Sequence, residues 1–324
     1  MSALRVVLGA SGGIGSAVVR ELAGRGLAVR AVSRHRADAI PRGVHHETLD
    51  VSIPDAAIAA CDGAATVYHC VQPPYHRWAA ELPRLNQAVA AAAAHTGAKL
   101  VLADNLYAYG PIEGLITETS PERPSSAKGR TRKEAADALL QEHATGRLRV
   151  TIGRAADYFG PRGTNSIAGE TMFGAAVAGR AVRWPANADA QHSFSYLPDL
   201  ARALVTLGEI DAADGRTWIL PPAPPLTARA LVALIEQELG RRVELRVTGK
   251  LAMRLAGIRI PQARELPDIW YQFSTPFVAE ASAFEAALGA FATTPLDEAV
   301  QETIAWFQSR SGSGRLPAGS PREP

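Results

Sequence analysis

Val6-Val7-Leu8-Gly9-Ala10-Ser11-Gly12-Gly13-Ile14-Gly15-Ser16-Ala17-Val18-Val19 joins an apolar run to a glycine-rich turn and a second apolar segment. The run ending at Gly9 predicts a buried parallel strand, and Ser16 through Leu22 predicts a helix packed on it. Glycines at 9, 12 and 15 are spaced G-x-x-G-x-x-G. One glycine permits the tight turn, another lets a diphosphate approach the backbone, and a third lets helix and strand pack closely. Amide N–H groups at the helix start then face the phosphates, with Ser11, Gly12, Gly13 and Ile14 lining the turn. An ordinary strand–helix turn has the same local signature, so the rest of the chain must decide.

The chain has 324 residues, enough for a large core and two lobes. Its formal charge of +2 gives no electrostatic case for nucleic acid or a membrane surface. Cys61 and Cys70 form no C-x-x-C and no metal-ligand spacing, so no metal is expected and a reduced, cytoplasmic setting fits. Residues 1–20 lack the basic and long apolar regions of a signal peptide. No uninterrupted apolar run reaches about 18 residues, so no membrane span is expected.

Leu27 to Ser33 predicts a second strand, followed by Ser33-Arg34-His35-Arg36. In a Rossmann unit the residue ending this strand meets the adenosine ribose. An acid there favours NAD; here Ser33 replaces it, and Arg34 is placed to pair with a 2′-phosphate, which points to NADP. The alternative is a solvated basic loop. Val44–Leu49 predicts a third strand, Ser52–Ala60 a helix and Ala65–Cys70 a fourth strand. This alternation implies an α/β fold with a doubly wound parallel sheet. A helix is expected over Trp78–His95, with Pro83 kinking it or marking its start. Lys99–Ala103 predicts a fifth strand, 111–127 a loop, Thr131–His143 a helix and Arg149–Arg154 a sixth strand.

Beyond that point the alternation stops. Residues 165–179 predict a helix, 181–184 and 193–197 short strands, and Pro198–Gly208 a helix. Thr217–Leu220 predicts another strand, Thr227–Leu239 an amphipathic helix and Val243–Val247 a strand. Thr294-Pro295-Leu296-Asp297 reads as an N-cap opening a last helix to about Phe307. The domain reading is a nucleotide-binding unit at 1–161, with 193–222 returning to it. A smaller substrate lobe takes 162–192 and 223–309, and 310–324 reads as a disordered tail.

Seven blocks in order resemble the extended short-chain dehydrogenase/reductases, the epimerase/dehydratase-like group, from about residue 4 to 307. Gly9–Gly15 resembles the phosphate loop, Leu49-Asp50-Val51 the adenine-contacting segment, and Tyr68-His69-Cys70 the strand block flanking the cofactor. Tyr109-Gly110-Pro111, Arg154–Pro161, Ser195–Ala201 and Thr217–Leu220 with Leu226-Thr227 complete the series. The resemblance implies a Rossmann domain, a substrate lobe, a cleft between them and a dinucleotide bound by Gly9, Ser11, Gly12, Gly13, Ile14, Gly15, Ser33, Arg34, Asp50, Val51 and His69. It permits a homodimer.

The departures bear on chemistry. The family uses a fifth-strand Ser or Thr, then a Tyr with a Lys four residues on. Here Lys128 falls at the Tyr position, Arg132 at the Lys position and Asn105 at the Ser/Thr position. Arg132 suits the nicotinamide ribose but not proton relay. Lys128 can lose a proton only if desolvated beside another cation. Asn105 suits a substrate oxygen or a water. Tyr107 and Tyr158 sit after strand ends and are candidate acids, as against packing residues. Tyr75, Trp78, His192 and Tyr196 are cleft candidates; His192 lies where nucleotide-sugar members often place an arginine.

The expected function is an NADP-dependent (NADPH) oxidoreductase acting on a small, moderately hydrophobic carbonyl, imine or enone, with a non-standard proton donor. Two alternatives stand beside it: a degenerate NADP-sensing protein, and a redox-neutral epimerase or dehydratase.

Overall fold

The computed structural model describes residues 3–37, 40–256 and 266–312. Seven parallel strands form the central sheet. They are β1 (Leu4–Leu8), β2 (Val29–Ser33), β3 (His45–Thr48), β4 (Ala64–His69), β5 (Lys99–Asn105), and, with a short strand β6 (Leu115–Ile116) intervening, β7 (Val150–Ala155). The seventh is Thr217–Ile219. From one edge the order is Thr217–Ile219, β7, β5, β4, β1, β2, β3. Order reverses beside β1, the switch point at which such sheets bind ligands beyond their carboxyl ends.

Both faces are covered, which is why the strands are continuous apolar runs rather than alternating ones. Helix α1 (Gly13–Gly24) and the helix Leu197–Glu209 pack on one face, burying Val18, Leu22, Leu200 and Leu204. Helices α2 (Pro54–Cys61), α3 (Trp78–Thr96) and α4 (Ala127–Ala144) pack on the other, around Val67, Leu85, Val89 and Leu139. A separate apolar cluster holds Phe159, Phe173, Trp184, Phe194, Tyr196, Leu231 and Phe307. Phe284 instead packs with the sheet, edge-on to Trp218 with ring centroids 6.3 Å apart. Among the described residues no helix is long and apolar enough to cross a membrane.

Several expected boundaries shift. Helix α3 begins at Trp78 and runs through Pro83. One lost backbone bond is outweighed by burying Leu82, Leu85 and Val89 on the sheet. Helix α4 starts at Ala127, four residues before the expected start, because Ser126 Oγ accepts from Gly129 N at 3.0 Å and caps it. Lys128 is therefore in the first helical turn. The expected loop 111–127 contains β6, which pairs with Val278–Ala279. Residues 165–179 are not one regular helix. Gly169–Gly174 is π-helical, where a Cβ on Gly169 would stand 2.2 Å from Gly163 O, and only Ala175–Val177 is α-helical. Thr294 precedes the last helix, Leu296–Gly312. Its N–H and hydroxyl both donate to Asp199, at 2.8 and 2.7 Å. The expected tail is helical to Gly312, and the remainder lies outside the described residues.

Candidate active site

The phosphate loop is built by contact. Gly9 has φ +86°, and a Cβ there would meet Cys70 C, Cys70 O and Val71 N at 2.9 Å. A Cβ on Gly15 would stand 2.2 Å from Gly9 O, so strand and helix close on each other only with glycine at this position. Gly9 N and Ala10 N donate to Val32 O at 2.8 and 3.0 Å, tying the turn to the end of β2. Gly12 caps α1 without a side-chain bond, and the first turn holds no acid. Its N–H groups are thus left to an incoming anion, with Ser11 and Gly12 exposed above them. Gly13 lies against the 160–163 turn, where a Cβ would come 3.1 Å from Arg162 O, and Ile14 packs at the margin of the core. These residues fit a dinucleotide diphosphate.

The end of β2 forms the second corner. Ser33 Oγ donates to His35 O at 2.7 Å and lies 2.9 Å from His46 Nε2. Leu49 N donates to Ser33 O at 3.1 Å, bringing Asp50 alongside. Asp50 accepts from Ser52 N and Oγ at 3.0 and 2.7 Å, which with the charge of Arg34 holds its carboxyl below the usual range. Arg34 is exposed. Val51 is buried in the core at 3% exposure.

His69 is not at a cofactor surface. It is wholly buried in β4, with Nε2 3.0 Å from Asn86 Oδ1 on α3, and burial lowers its pKa to about 4.

Beyond the carboxyl ends of β4, β5 and β7, the start of α4 brings buried charges together. Arg132 Nη1 donates to Asp104 Oδ1 at 2.9 Å, and its Nη2 donates to Gln72 Oε1 at 2.5 Å. Its guanidinium lies 4.0 Å from the Trp78 ring centroid. Asp104 Oδ2 accepts from Arg154 Nε at 3.2 Å, and Arg154 Nη1 donates to Glu122. Asp104 and Arg154 are facing partners on adjacent strands. Lys128 is 6% exposed, its Nζ 4.4 Å from the Tyr75 ring centroid. Tyr75 lies edge-on to Trp78 at 4.8 Å, and Tyr107 follows 6.0 Å from Trp78. Burial, then the neighbouring Tyr75 and Asp157, raise the Tyr107 phenol well above its ordinary value.

Lys128, Arg132, Tyr107, Tyr75 and Trp78 therefore form one cluster at the carboxyl ends of the strands. The position α4 takes depends on Gly129, where a Cβ would stand 2.4 Å from Tyr107 O. Asn105 has another job. Its Oδ1 accepts from Tyr107 N at 3.1 Å and caps the short 3-10 helix after β5. Tyr158 is partly buried, its phenol pushed up to about 12 by burial. Tyr196 is 2% exposed and donates to Glu302 on the last helix, so it is part of the apolar cluster with Phe159 and Phe173. His192 is also buried, bonded to Asp157 at 2.9 Å. Gln72, Asp104, Glu122, Arg154 and Asp157 were not singled out from the sequence. A usable signal was there for two: Asp104 and Arg154 each interrupt an apolar strand, and adjacent parallel strands would bring them side by side.

Residues 5–219 match the model of the NAD dependent epimerase/dehydratase family. The chain belongs to that family. No curated protein matches the chain. Among solved structures, MoeE5 in complex with UDP-glucuronic acid and NAD is 21% identical, covering 95% of this chain and 99% of its own, with TM-score 0.76. UDP-N-acetylglucosamine 4-epimerase from Bacillus cereus is 17% identical over 98% of this chain and 99% of its own, with TM-score 0.77. DesIV, a dTDP-glucose 4,6-dehydratase from Streptomyces venezuelae with NAD and DAU bound, is 18% identical over 95% and 98%, with TM-score 0.76. At these identities the likeness is one of fold. In this member of the epimerase/dehydratase family the glycine turn keeps the close backbone contacts of a phosphate cradle.

Proposed function

We propose that this family member is an NADP-dependent oxidoreductase that reduces a small, moderately hydrophobic carbonyl, imine or enone. The observation that supports it is the buried cluster in which Lys128 lies 4.4 Å over Tyr75 and Arg132 4.0 Å over Trp78, beyond the strand ends. Bound there, the nicotinamide supplies hydride chemistry. Arg132, anchored by Asp104 and Gln72, orients the ribose as a fixed cation and takes no part in proton transfer. Lys128 polarises the substrate oxygen. Tyr75 and Trp78 supply apolar wall and exclude water. Burial holds the Tyr107 phenol protonated and makes it a weak acid, so it offers the substrate oxygen a hydrogen bond rather than a proton. Arg34 beside Ser33 reads the 2′-phosphate.

A second reading has its own support. The anchoring of Arg132 by Asp104 is also what a cofactor sensor without turnover would use. One experiment separates the two. NADPH consumption is followed with purified protein against ketones, aldehydes, enones and imines, alongside titration with NADPH and NADH. Turnover with tighter NADPH binding supports the oxidoreductase; NADPH binding with no substrate consumed supports the sensor. Product without net cofactor oxidation would move the assignment to redox-neutral chemistry.

A further inference from the structure

Ser33 ends β2, the position that meets the adenosine ribose in a Rossmann unit. Its hydroxyl carries one hydrogen, and that hydrogen goes to His35 O at 2.7 Å. The serine oxygen can then only accept from its other neighbour, His46 Nε2, 2.9 Å away. This bond fixes the ring. Nε2 carries the hydrogen, and Nδ1 of the neutral imidazole is bare. Among the described residues Nδ1 has no hydrogen-bond partner, and it is not sealed from solvent.

Strand geometry brings the ring to this corner. His46 on β3 faces Ala31 on β2, and Ser33 lies two residues further along the same face. The small Ala31 lets the imidazole lean towards the carboxyl end of the sheet and stop against Ser33. The surroundings are mostly basic: Arg34, His35 and Arg36 follow Ser33 and are exposed. Of the acids, Glu47 is held by Arg30 on β2 and by His45 on β3, both at 3.2 Å, and Asp50 is bonded to Ser52. Burial, then the charges of Arg36 and His45, lower the His46 pKa from its ordinary value, with Glu47 opposing them. A phosphate dianion at the ribose would reverse that balance. It supplies an acceptor for an Nδ1–H and a negative charge against Arg34, Arg36 and His46.

We propose that His46, with Arg34, is a ligand of the cofactor's 2′-phosphate and takes a proton from water onto Nδ1 as that phosphate binds. The proposal rests on the NADP reading. It makes His46 a specificity residue, because the ribose of NADH carries a hydroxyl at that position and brings no charge to stabilise the imidazolium. NADPH affinity relative to NADH therefore increases as pH falls from about 8.5 to about 6.5, the range in which the ring becomes easier to charge.

The test uses the full chain and its His46→Gln form, which keeps a donor to Ser33 but cannot titrate. Calorimetric titrations with NADPH and with NADH are run at about pH 6.5 and about pH 8.5, each in two buffers of different ionisation enthalpy, so that proton uptake is read together with affinity. At the lower pH the substitution is expected to weaken NADPH binding about 10-fold, and at the higher pH by much less, with NADH binding held throughout. On binding NADPH near neutral pH the unaltered protein should take up more protons than His46→Gln, and with NADH the two should not differ. In protein with 15N-labelled histidine, His46 Nδ1 should be bare in the free protein and protonated with NADPH bound. A ring that stays singly protonated in the NADPH complex overturns the proposal. So does equal NADPH affinity and proton uptake in the two proteins, and where both still prefer NADPH the NADP reading stands. Equal affinity of the unaltered protein for NADPH and NADH overturns both.

Discussion

Arg132 and Asp104 form a buried ion pair at 2.9 Å, with side-chain exposures of 4% and 1%. The same carboxylate accepts from Arg154 at 3.2 Å, so one acid on β5 serves a guanidinium from α4 and another from β7. Each arginine is costly to bury alone, and the shared carboxylate with Gln72 and Glu122 is what permits both. The pair thus ties the first turns of α4 to the carboxyl end of β5. Without these partners the permanently charged guanidinium of Arg132 would be buried with nothing to hold it.

Asp104→Ala should accordingly act mainly on stability. Two buried guanidinium groups lose a charged acceptor, and the expected cost is about 3–5 kcal/mol. Urea unfolding followed by circular dichroism measures it. A loss below about 1 kcal/mol, the scale of an exposed pair, would show that the network is not a buried anchor.

Arg34→Ala should do the opposite, leaving stability unchanged and altering cofactor choice. Arg34 is exposed, so removing it opens no cavity. A charge-assisted bond to a 2′-phosphate is worth about 1.5–3 kcal/mol, or about 10–100-fold in affinity. Calorimetric titration should show NADPH binding weakened by that factor and NADH binding held. Equal weakening of both would remove the argument for NADP.

Gly15→Ala tests the cradle itself. The added methyl would stand 2.2 Å from Gly9 O, so either α1 moves off the sheet or the turn opens. Both outcomes spoil the approach of a diphosphate. The expected result is loss of NADPH binding in calorimetry together with a lower melting temperature. Retained binding with full stability would mean the loop tolerates a spacing the contacts exclude.

The cradle was legible in the sequence because its physics is local: three glycines at fixed spacing, then a helix. The central strands were legible for a similar reason, since parallel strands buried on both faces are continuous apolar runs. Site residues read from position in the family pattern separated by what their neighbours did. Arg132 and Lys128 do lie together, whereas His69 is turned to Asn86 and Tyr196 to Glu302. Those partners come from other elements, 17 and 106 residues away, and no local pattern specifies them. Glu122 was hidden differently. It sits in a loop rich in Pro, Ser and Thr, where one more acid resembles a solvated residue until Arg154 is seen to reach it.

His69 gives a prediction about pH that is independent of any substrate. Its Nε2 faces Asn86 Oδ1 at 3.0 Å and so carries the proton, while Nδ1 is buried with no partner. A second proton would create a buried N–H with nothing to accept it, close to the charge of Arg132. Burial first, and that charge after it, lower the pKa from 6.5 to about 4. In the unfolded chain His69 binds a proton readily below 6.5, and in the folded chain it does not. Stability from this residue is therefore fully present above pH 6.5 and is lost as pH falls towards 4. Over that window the loss approaches about 3 kcal/mol. Urea midpoints at pH 7.5 and 4.5 should fall more steeply for the unaltered protein than for His69→Gln, which keeps a donor to Asn86 but cannot titrate. Parallel behaviour of the two proteins would show that His69 is already protonated, or solvated, within the fold.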